Sequence, residues 1–281
     1  MRHVGTIVTA LLAVVPGLGA ASATTLNAEY AISLAGLTVG MADLATTVEG
    51  DKYRLQLNAR TVGLAGAFSN AKGAANAAGS VAPGRPPVPG SFAVLTRASS
   101  DQRSVRIGIA NGNVAAVDIT PPLDPKPDRV PLKDSHKRGI VDPLSALIMP
   151  AVAGSGDLLD PANCNRTLPI FDGGARYDVT LSFAETRRVE RPGFAGPVLV
   201  CNARWTPIAG HRSERPATKF MQENQDISVW LAPIEGTRVL IPLRISVATM
   251  IGTSVIEAQR WSQSGEGKPA PAKPQRRAGA D

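Results

Sequence analysis

The fold is decided by residues 164–201, CNRTLPIFDGGARYDVTLSFAETRRVERPGFAGPVLVC, which hold both cysteines of the 281-residue chain. Between Cys164 and Cys201 lie a turn signal, an alternating strand, a charged turn and the start of a second strand. Because the N-terminus has the pattern of an export signal, and disulfides persist in oxidising compartments, we predict that the two cysteines are bonded. Closing a loop of this length removes about 4 kcal/mol of unfolded-chain entropy in the chain-entropy treatment.

Residues 1–23 have the three parts of a secretory signal. Arg2 supplies the positive start, an apolar run follows, and Ala21-Ser22-Ala23 is a small-residue cleavage site. The apolar run is interrupted by Pro16 and is short for a bilayer span. We therefore expect cleavage after Ala23 and a periplasmic mature protein that does not span the membrane.

Downstream of the signal, apolar and polar residues alternate with a period of two, which is typical of half-buried antiparallel strands. Asn111-Gly112 is the strongest hairpin signal between them. One stretch, DPLSALIMPAV at residues 142–152, predicts a helix, with Asp142 as its N-cap. Residues 63–90 fit either a short helix or a small-residue strand, followed by a proline-rich connection.

Roughly ten to twelve strands and one short helix are too many elements for an open twisted sheet. We predict an all-β fold, either a large curled antiparallel sheet or a partly open β-barrel, packed around the helix. The sheet forms a single domain over residues 24–261, and residues 262–281, rich in Gly, Pro and Lys, are predicted to be a disordered basic tail. Pro242, inside a strand pattern, predicts an edge position, a bulge or a break between two strands.

The formal net charge of the chain is +7. Such an excess suits nucleic acid or anionic lipid when the basic residues are clustered. Here part of the excess falls in the C-terminal tail and the rest is spread along the chain, so we expect no nucleic-acid partner. Two interpretations stay open, a solvated basic surface and attraction to anionic lipid headgroups.

The sequence patterns of known enzyme classes are missing or incomplete. His136 and His211 lie far apart, with no Cys or carboxylate beside them at metal-ligand spacing. Residues 69–72, SNAK, match the S-x-x-K of penicillin-recognising enzymes, but the S-D-N and K-T-G elements of that chemistry are absent. We therefore expect no catalytic residues, no metal and no cofactor.

The densest polar cluster near the disulfide follows the first strand of the loop. Asp172 either shapes a turn while Arg176 pairs with a nearby carboxylate, or Asp172, Arg176 and Asp178 form a rim where a partner docks. Trp205 and Trp230 either anchor the core and the sheet edge or line a cavity for a lipid or another apolar ligand.

The order of these features resembles the proteobacterial envelope family catalogued as domain of unknown function 3108. The motifs that carry the resemblance are Y-x-I-x-L-A-G-L-T-V-G at 30–40, D-P-L-S-A-L at 142–147, C-x-R-x-L-P-I-F-D-G-x-x-R-Y-D at 164–178 and W-L-A-P … R-V-L-I-P-L-R-I at 230–245. The resemblance implies a periplasmic protein with a curled β-sheet and no assigned reaction. Such sheets also look like the carriers that move lipoproteins to the outer membrane, a likeness of architecture alone.

We therefore predict an exported envelope protein, without enzymatic activity, that binds an apolar or lipid-like ligand in its curled sheet. The alternative is a structural or assembly factor that contacts another envelope component through an exposed sheet edge near the disulfide.

Overall fold

A computed structural model describes residues 23–63, 66, 70–152 and 156–265. Nearly all of the predicted signal and the tail from residue 266 onward lie outside the described residues. In the described part of the chain, one antiparallel sheet of fourteen strands dominates, which confirms the predicted all-β class.

The strands are β1 (Ala23–Leu34), β2 (Leu37–Glu49), β3 (Lys52–Thr61), β4 (Lys72–Ser80), β5 (Val88–Ala98), β6 (Asp101–Ala110), β7 (Asn113–Thr120), β8 (Met149–Pro150), β9 (Arg166–Phe171), β10 (Arg176–Arg191), β11 (Phe194–Ala209), β12 (Ile227–Pro233), β13 (Val239–Thr249) and β14 (Gly252–Ser264). The helix α1 is Pro216–Glu223. Short 3-10 helices span Asp134–Lys137, Ser145–Leu147 and Pro161–Cys164.

The strand order is β7-β6-β5-β4-β3-β2-β1-β14-β13-β12-β11-β10-β9, with the short β8 beside β13. Neighbours in the sheet are mostly neighbours in the chain, as expected for a meander of hairpins. The exception is the pairing of β1 with β14, which joins the two ends of the described chain. The prediction of a disordered tail was wrong for residues 262–264. These residues belong to β14 and pair with β1.

Residues 139–151, which we call the plug, lie between the two ends of the strand order. Ile140 N donates to Gly112 O in the β6–β7 turn (2.8 Å), and Val141 forms a parallel bridge with Ile170 of β9. Strands β7 and β9 do not pair directly. The sheet is therefore curled and partly open, as predicted, and the plug joins its two edge strands.

The plug also connects two hydrophobic clusters. Ile140, Leu144 and Ile148 are buried in the larger cluster, together with side chains of β1 to β6. Other plug side chains are buried in a smaller cluster with strands β9 to β13, namely Val141, Ala146 and Met149. The apolar residues of the plug thus face two cores.

The prediction of a helix at residues 142–152 was wrong, since only Ser145–Leu147 forms a single 3-10 turn. An amphipathic helix has one apolar face, whereas this segment must fill two cores. Pro150, which limits any helix, lies in β8 instead. The N-cap of this turn is Leu144 and not the predicted Asp142, although Asp142 Oδ1 accepts hydrogen bonds from Leu144 N (3.0 Å) and Ser145 N (2.9 Å).

Asp142 gives the plug a pH-dependent stability. The residue is fully buried, Oδ2 has no hydrogen-bond partner among the described residues, and burial raises the pKa of the carboxyl group. Because the folded-state pKa lies above the unfolded value, about 3.9, the folded protein holds the proton more tightly. The contribution to stability is complete below the unfolded pKa and is lost as the pH rises through the folded pKa.

We therefore expect Asp142→Asn to remove this pH dependence. In urea titrations, the stability of the variant relative to wild type should increase as the pH rises from acid to neutral, because only wild type loses stability over this range. Asp172, whose pKa is also raised by burial, is common to both proteins and cancels in the comparison. A difference between the two proteins that is constant with pH would contradict the assignment.

Helix α1 has no counterpart in the predicted elements. Its sequence carries Pro216 at the first turn, a helix-start signal, but the preceding Arg215 makes no side-chain cap. Met221 packs against the smaller cluster. Tertiary contact stabilises this short polar helix, which is why periodicity alone does not reveal it.

Pro242 marks a bulge where β13 separates from β14. β13 pairs with β14 only from Arg244 onward, and its register with β12 shifts opposite Trp230 and Leu231. The hydroxyl of Tyr30 donates to Pro242 O (2.7 Å) and satisfies this carbonyl. Pro242 is therefore at a bulge in an internal strand, one of the three predicted alternatives.

The tip of the β10–β11 hairpin covers the part of β14 that β13 leaves. Trp261 N donates to Pro192 O (2.9 Å). Gly193 has φ +86, and a Cβ there would lie 1.7 Å from Trp261 O. Only glycine permits this approach, so the hairpin tip is fitted to the exposed edge of β14.

The predicted disulfide is confirmed. Cys164 and Cys201 are bonded, with a Cα–Cα distance of 5.5 Å, and both are fully buried. The bond joins the Pro161–Cys164 turn to the middle of β11. In β11 both faces are buried, because Val198 and Val200 lie in the larger cluster and Leu199 lies with Cys201 in the smaller one.

Candidate functional site

The predicted polar cluster lies in the β9–β10 turn. Asp172 Oδ1 accepts hydrogen bonds from Gly174 N (2.9 Å) and Ala175 N (2.7 Å). Arg176 Nη1 donates to Asp178 Oδ1 at 2.6 Å, and its side chain is only 12% exposed. These contacts agree with the structural interpretation, in which the three residues hold the turn. Docking of a partner on this rim stays a prediction.

The two predicted tryptophans do not share a site. Trp205 packs against the smaller cluster, with its ring 6.1 Å from that of Tyr177. Trp230 packs against the larger cluster, and the guanidinium groups of Arg187 and Arg244 lie 4.9 Å and 5.2 Å from its ring centre. Trp205 therefore lies beside the polar cluster, since Val179 pairs with Trp205 and Asp178 with Thr206, whereas Trp230 lies in a separate place on the fold.

The interior of the curled sheet is filled by protein side chains. Leu26, Leu55 and Ile148 each have at most 1% of their surface exposed, and the hydroxyl of Tyr53 donates to Ser145 Oγ of the plug (2.7 Å). An acyl chain would have to displace the plug to enter. This packing disfavours the predicted ligand position inside the sheet and directs attention to surface depressions.

One surface depression, which we call the basic groove, has a volume of about 320 Å³ and lies across β2 to β5. Its lining residues are Asp43, Asn58, Ala59, Arg60, Lys72, Gly73, Ala74, Leu95 and Arg97. None of them was predicted as a ligand contact from the sequence.

Strand register brings three cations of the basic groove into one row. Arg60 pairs with Lys72, and Lys72 pairs with Arg97, so the three lie directly opposite one another on adjacent strands. The neighbouring row of the same face is Asn58, Ala74 and Leu95. The cationic row therefore borders a floor that is apolar at Ala74 and Leu95 and polar at Asn58.

The positive charge of the row is only partly neutralised. Arg60 lies 3.8 Å from a carboxylate oxygen of Asp43, a loose ion pair. Arg97 Nε donates to Gln102 Oε1 (2.7 Å), which carries no charge. The side chain of Lys72 makes no hydrogen bond or ion pair with another described residue. Since like charges directly opposite each other destabilise a sheet, an anion bound across the row would relieve the repulsion.

Lys72 also belongs to the S-x-x-K match, which the structure places outside its usual context. Lys72 is the first residue of β4, whereas that chemistry needs a lysine one helical turn after its serine. Ser69 lies outside the described residues. Nothing in the placement of Lys72 adds support for this chemistry.

The described part of the chain holds neither a cluster of metal ligands nor a helix that could span a membrane. No group of three or more His, Cys, Asp and Glu side chains there is arranged to hold a metal ion. Among the helices of these same residues, none combines the length and apolar character needed to cross a membrane.

Comparison with known proteins gives a family match. The family model described as "Protein of unknown function (DUF3108)" matches residues 29–259. No curated protein matches the chain. A similar solved structure is a beta-barrel-like protein of domain of unknown function DUF1849 from Brucella abortus, with 8% identity, a TM-score of 0.48, and coverage of 87% of this chain and 98% of that one.

Proposed function

We propose that this chain, which belongs to the DUF3108 family of proteins of unknown function, is an exported periplasmic envelope protein. In this proposal it binds an anionic, lipid-like ligand and catalyses no reaction. The proposed site is the basic groove on the surface of the sheet. The observation that carries the proposal is the row of Arg60, Lys72 and Arg97 beside an apolar floor.

The dimensions of the basic groove suit such a ligand. Side chains directly opposite on adjacent strands have Cβ atoms about 4.5–5.5 Å apart, so one carboxylate or phosphate group can contact two cations at once. Ala74 and Leu95 offer apolar surface to an attached hydrocarbon chain. The volume of about 320 Å³ accommodates a small ligand or the head and first carbons of a longer one.

The disulfide supports the exported location. Cys164 and Cys201 are bonded, and such bonds persist in compartments outside the reducing cytosol. The predicted cleavage signal lies almost entirely outside the described residues, so export rests on the sequence pattern together with this bond.

A Lys72→Gln/Arg97→Gln variant tests the site. Delipidated protein should bind a fluorescent fatty acid, and the variant should bind it about tenfold more weakly or worse, because two charge-assisted contacts are lost. The matched control is Arg188→Gln on β10, which removes an exposed cation outside the basic groove. Titration of probe fluorescence measures each affinity.

A neutral ester of the same fluorescent chain separates charge recognition from nonspecific apolar binding. We expect the wild type to prefer the acid and the double variant to lose that preference. Equal affinity of wild type and double variant for the fatty acid would overturn the proposed site.

A second candidate function is an assembly factor that accepts a strand from another envelope protein. The prediction of an exposed edge beside the disulfide is wrong for residues 169–171. The plug covers this part of β9, because Val141 N donates to Pro169 O and Phe171 N donates to Val141 O (2.9 Å each). The other end of the strand order, β7, pairs with β6 alone and exposes Val117. Strand addition would therefore use β7.

A further inference from the structure

Three large apolar side chains are exposed at two hairpin tips. Leu37 follows the β1–β2 turn and is 66% exposed, while Met250 and Ile251 form the β13–β14 turn and are 57% and 73% exposed. Isolated exposed apolar residues are ordinary in soluble proteins, whereas a group at one place marks an interaction surface. The question is whether these three lie together.

The two turns are in direct contact. Ala35 N donates to Thr253 O (2.9 Å), and a Cβ at Gly252 would lie 2.7 Å from the Cβ of Ala35. β1 is the only strand between β2 and β14, so Leu37 and the β13–β14 turn are about 10 Å apart across the sheet. We call Leu37, Met250 and Ile251 the apolar tips.

The cationic row lies at the same end of the sheet. Arg60 is next to the last residue of β3, Lys72 is the first residue of β4, and Arg97 is next to the last residue of β5. The end of β3 pairs with Gly40, three residues after Leu37 in β2. The apolar tips and the cationic row therefore border one end of the curled sheet.

Around the cationic row, the described carboxylates are fewer than the cations. Asp43 forms the loose ion pair with Arg60, and Asp101 stands at the β5–β6 turn. Arg103 of β6, opposite Thr96 of β5, adds a fourth cation. The described residues around the cationic row therefore carry a net positive charge, which complements an anionic surface. Near the β13–β14 turn the exposed Asp226, whose backbone oxygen accepts from Ala248 N (2.9 Å), adds one negative charge.

We propose that this end of the protein docks on the surface of an anionic lipid bilayer. The apolar tips enter the interfacial layer, and the cationic row contacts the headgroups. Apolar insertion combined with electrostatic attraction is the usual basis of reversible membrane-surface binding. Docking goes beyond binding of a single lipid-like molecule, since the tips lie outside the basic groove.

In the docked orientation, the basic groove lies next to the lipid headgroups. Lys72 and Arg97 line the groove and belong to the row that meets the headgroups. A ligand can therefore pass between the bilayer and the groove along one continuous cationic surface. The orientation makes the membrane itself the source or the destination of the groove ligand.

Vesicle flotation tests the docking surface. Wild type should float with vesicles that contain phosphatidylglycerol, bind vesicles of phosphatidylcholine alone about tenfold more weakly, and dissociate as salt rises. A Leu37→Ser/Met250→Ser/Ile251→Ser variant should lose at least about tenfold in vesicle affinity. Val88→Ser is the matched control, because Val88 is 45% exposed at the opposite end of β5.

Two measurements separate docking from ligand binding in the groove. Without vesicles, the serine variant should still bind the fluorescent fatty acid as wild type does, which also shows that it is folded. With vesicles, an Ile251→Trp variant should show fluorescence quenching by brominated acyl chains.

Vesicle binding that the serine variant retains, or wild type that binds no vesicles, would overturn the docking proposal and leave the groove proposal standing. The docking proposal would also be overturned if wild type were a dimer that binds no vesicles and the serine variant were a monomer. The tips would then be an interface between copies of this chain.

Discussion

A Cys164→Ala/Cys201→Ala variant is expected to have an unfolding free energy about 4 kcal/mol smaller than that of wild type. Its thermal midpoint should be about 10 °C lower. The reason is the loop of 37 residues that the bond closes in the unfolded chain. The loss is large because the bond joins a turn near the plug to β11, two segments that share no strand pairing with each other. Differential scanning calorimetry measures the midpoint.

Reductant provides the control for this change. Dithiothreitol should lower the midpoint of wild type toward that of the double alanine variant and leave the variant unaffected. An unchanged wild-type midpoint after verified reduction would show that the bond contributes no stability. A small additional loss in the variant is expected, because two fully buried side chains become smaller.

Ile148→Ala is expected to lower the unfolding free energy by about 2–5 kcal/mol. Ile148 is fully buried in the larger cluster, where the plug meets the inner face of the sheet. The cavity that the change leaves has no route to collapse without moving the plug, which is bonded to both edge strands through Ile140 and Val141. Urea titration measures the loss.

Ile251→Ala is the matched control for the plug, because it removes the same atoms from a side chain that is 73% exposed. Its effect on the unfolding free energy should stay within about 0.5 kcal/mol. Equal losses at both positions would mean that the plug is not part of the cooperative core. The pair also separates the residues that stabilise the fold from those assigned to membrane docking.

Plug and groove together support the proposal of a ligand site on the outside of the sheet. The plug fills the interior, so an internal ligand site is available only through its displacement. The groove and the apolar tips instead occupy one end of the sheet, where the ammonium group of Lys72 forms no ion pair with another described residue and Leu37 is mostly exposed. The proposal of a lipid-like ligand is therefore supported by features of the protein surface and not by an internal cavity.

Local patterns in the sequence predicted much of the architecture. The period-two alternation of β1, in which Leu26, Ala28 and Tyr30 are buried, follows from the pleat of a single strand. The hairpin at Asn111-Gly112 follows from the positive φ that both residues adopt. The disulfide follows from a count of two cysteines in a chain with an export signal.

The candidate site was not predictable in the same way. Arg60, Lys72 and Arg97 are separated by long stretches of chain, and only the register of β3, β4 and β5 sets them opposite one another. In the sequence alone, these charges indicate only a basic surface with its charges spread along the chain. The available signal was weak: basic residues at strand ends, with small residues in the strand between them.

By itself the sequence determined the strand class and the turns, because each depends on backbone geometry within a few residues. It also determined the disulfide, because the chain has only two cysteines. Only the tertiary structure decided that residues 142–152 form a plug instead of a helix, since two separate cores compete for its side chains. The tertiary structure also decided which cations and which apolar tips meet, because pairing between distant strands is set by how the whole sheet curls.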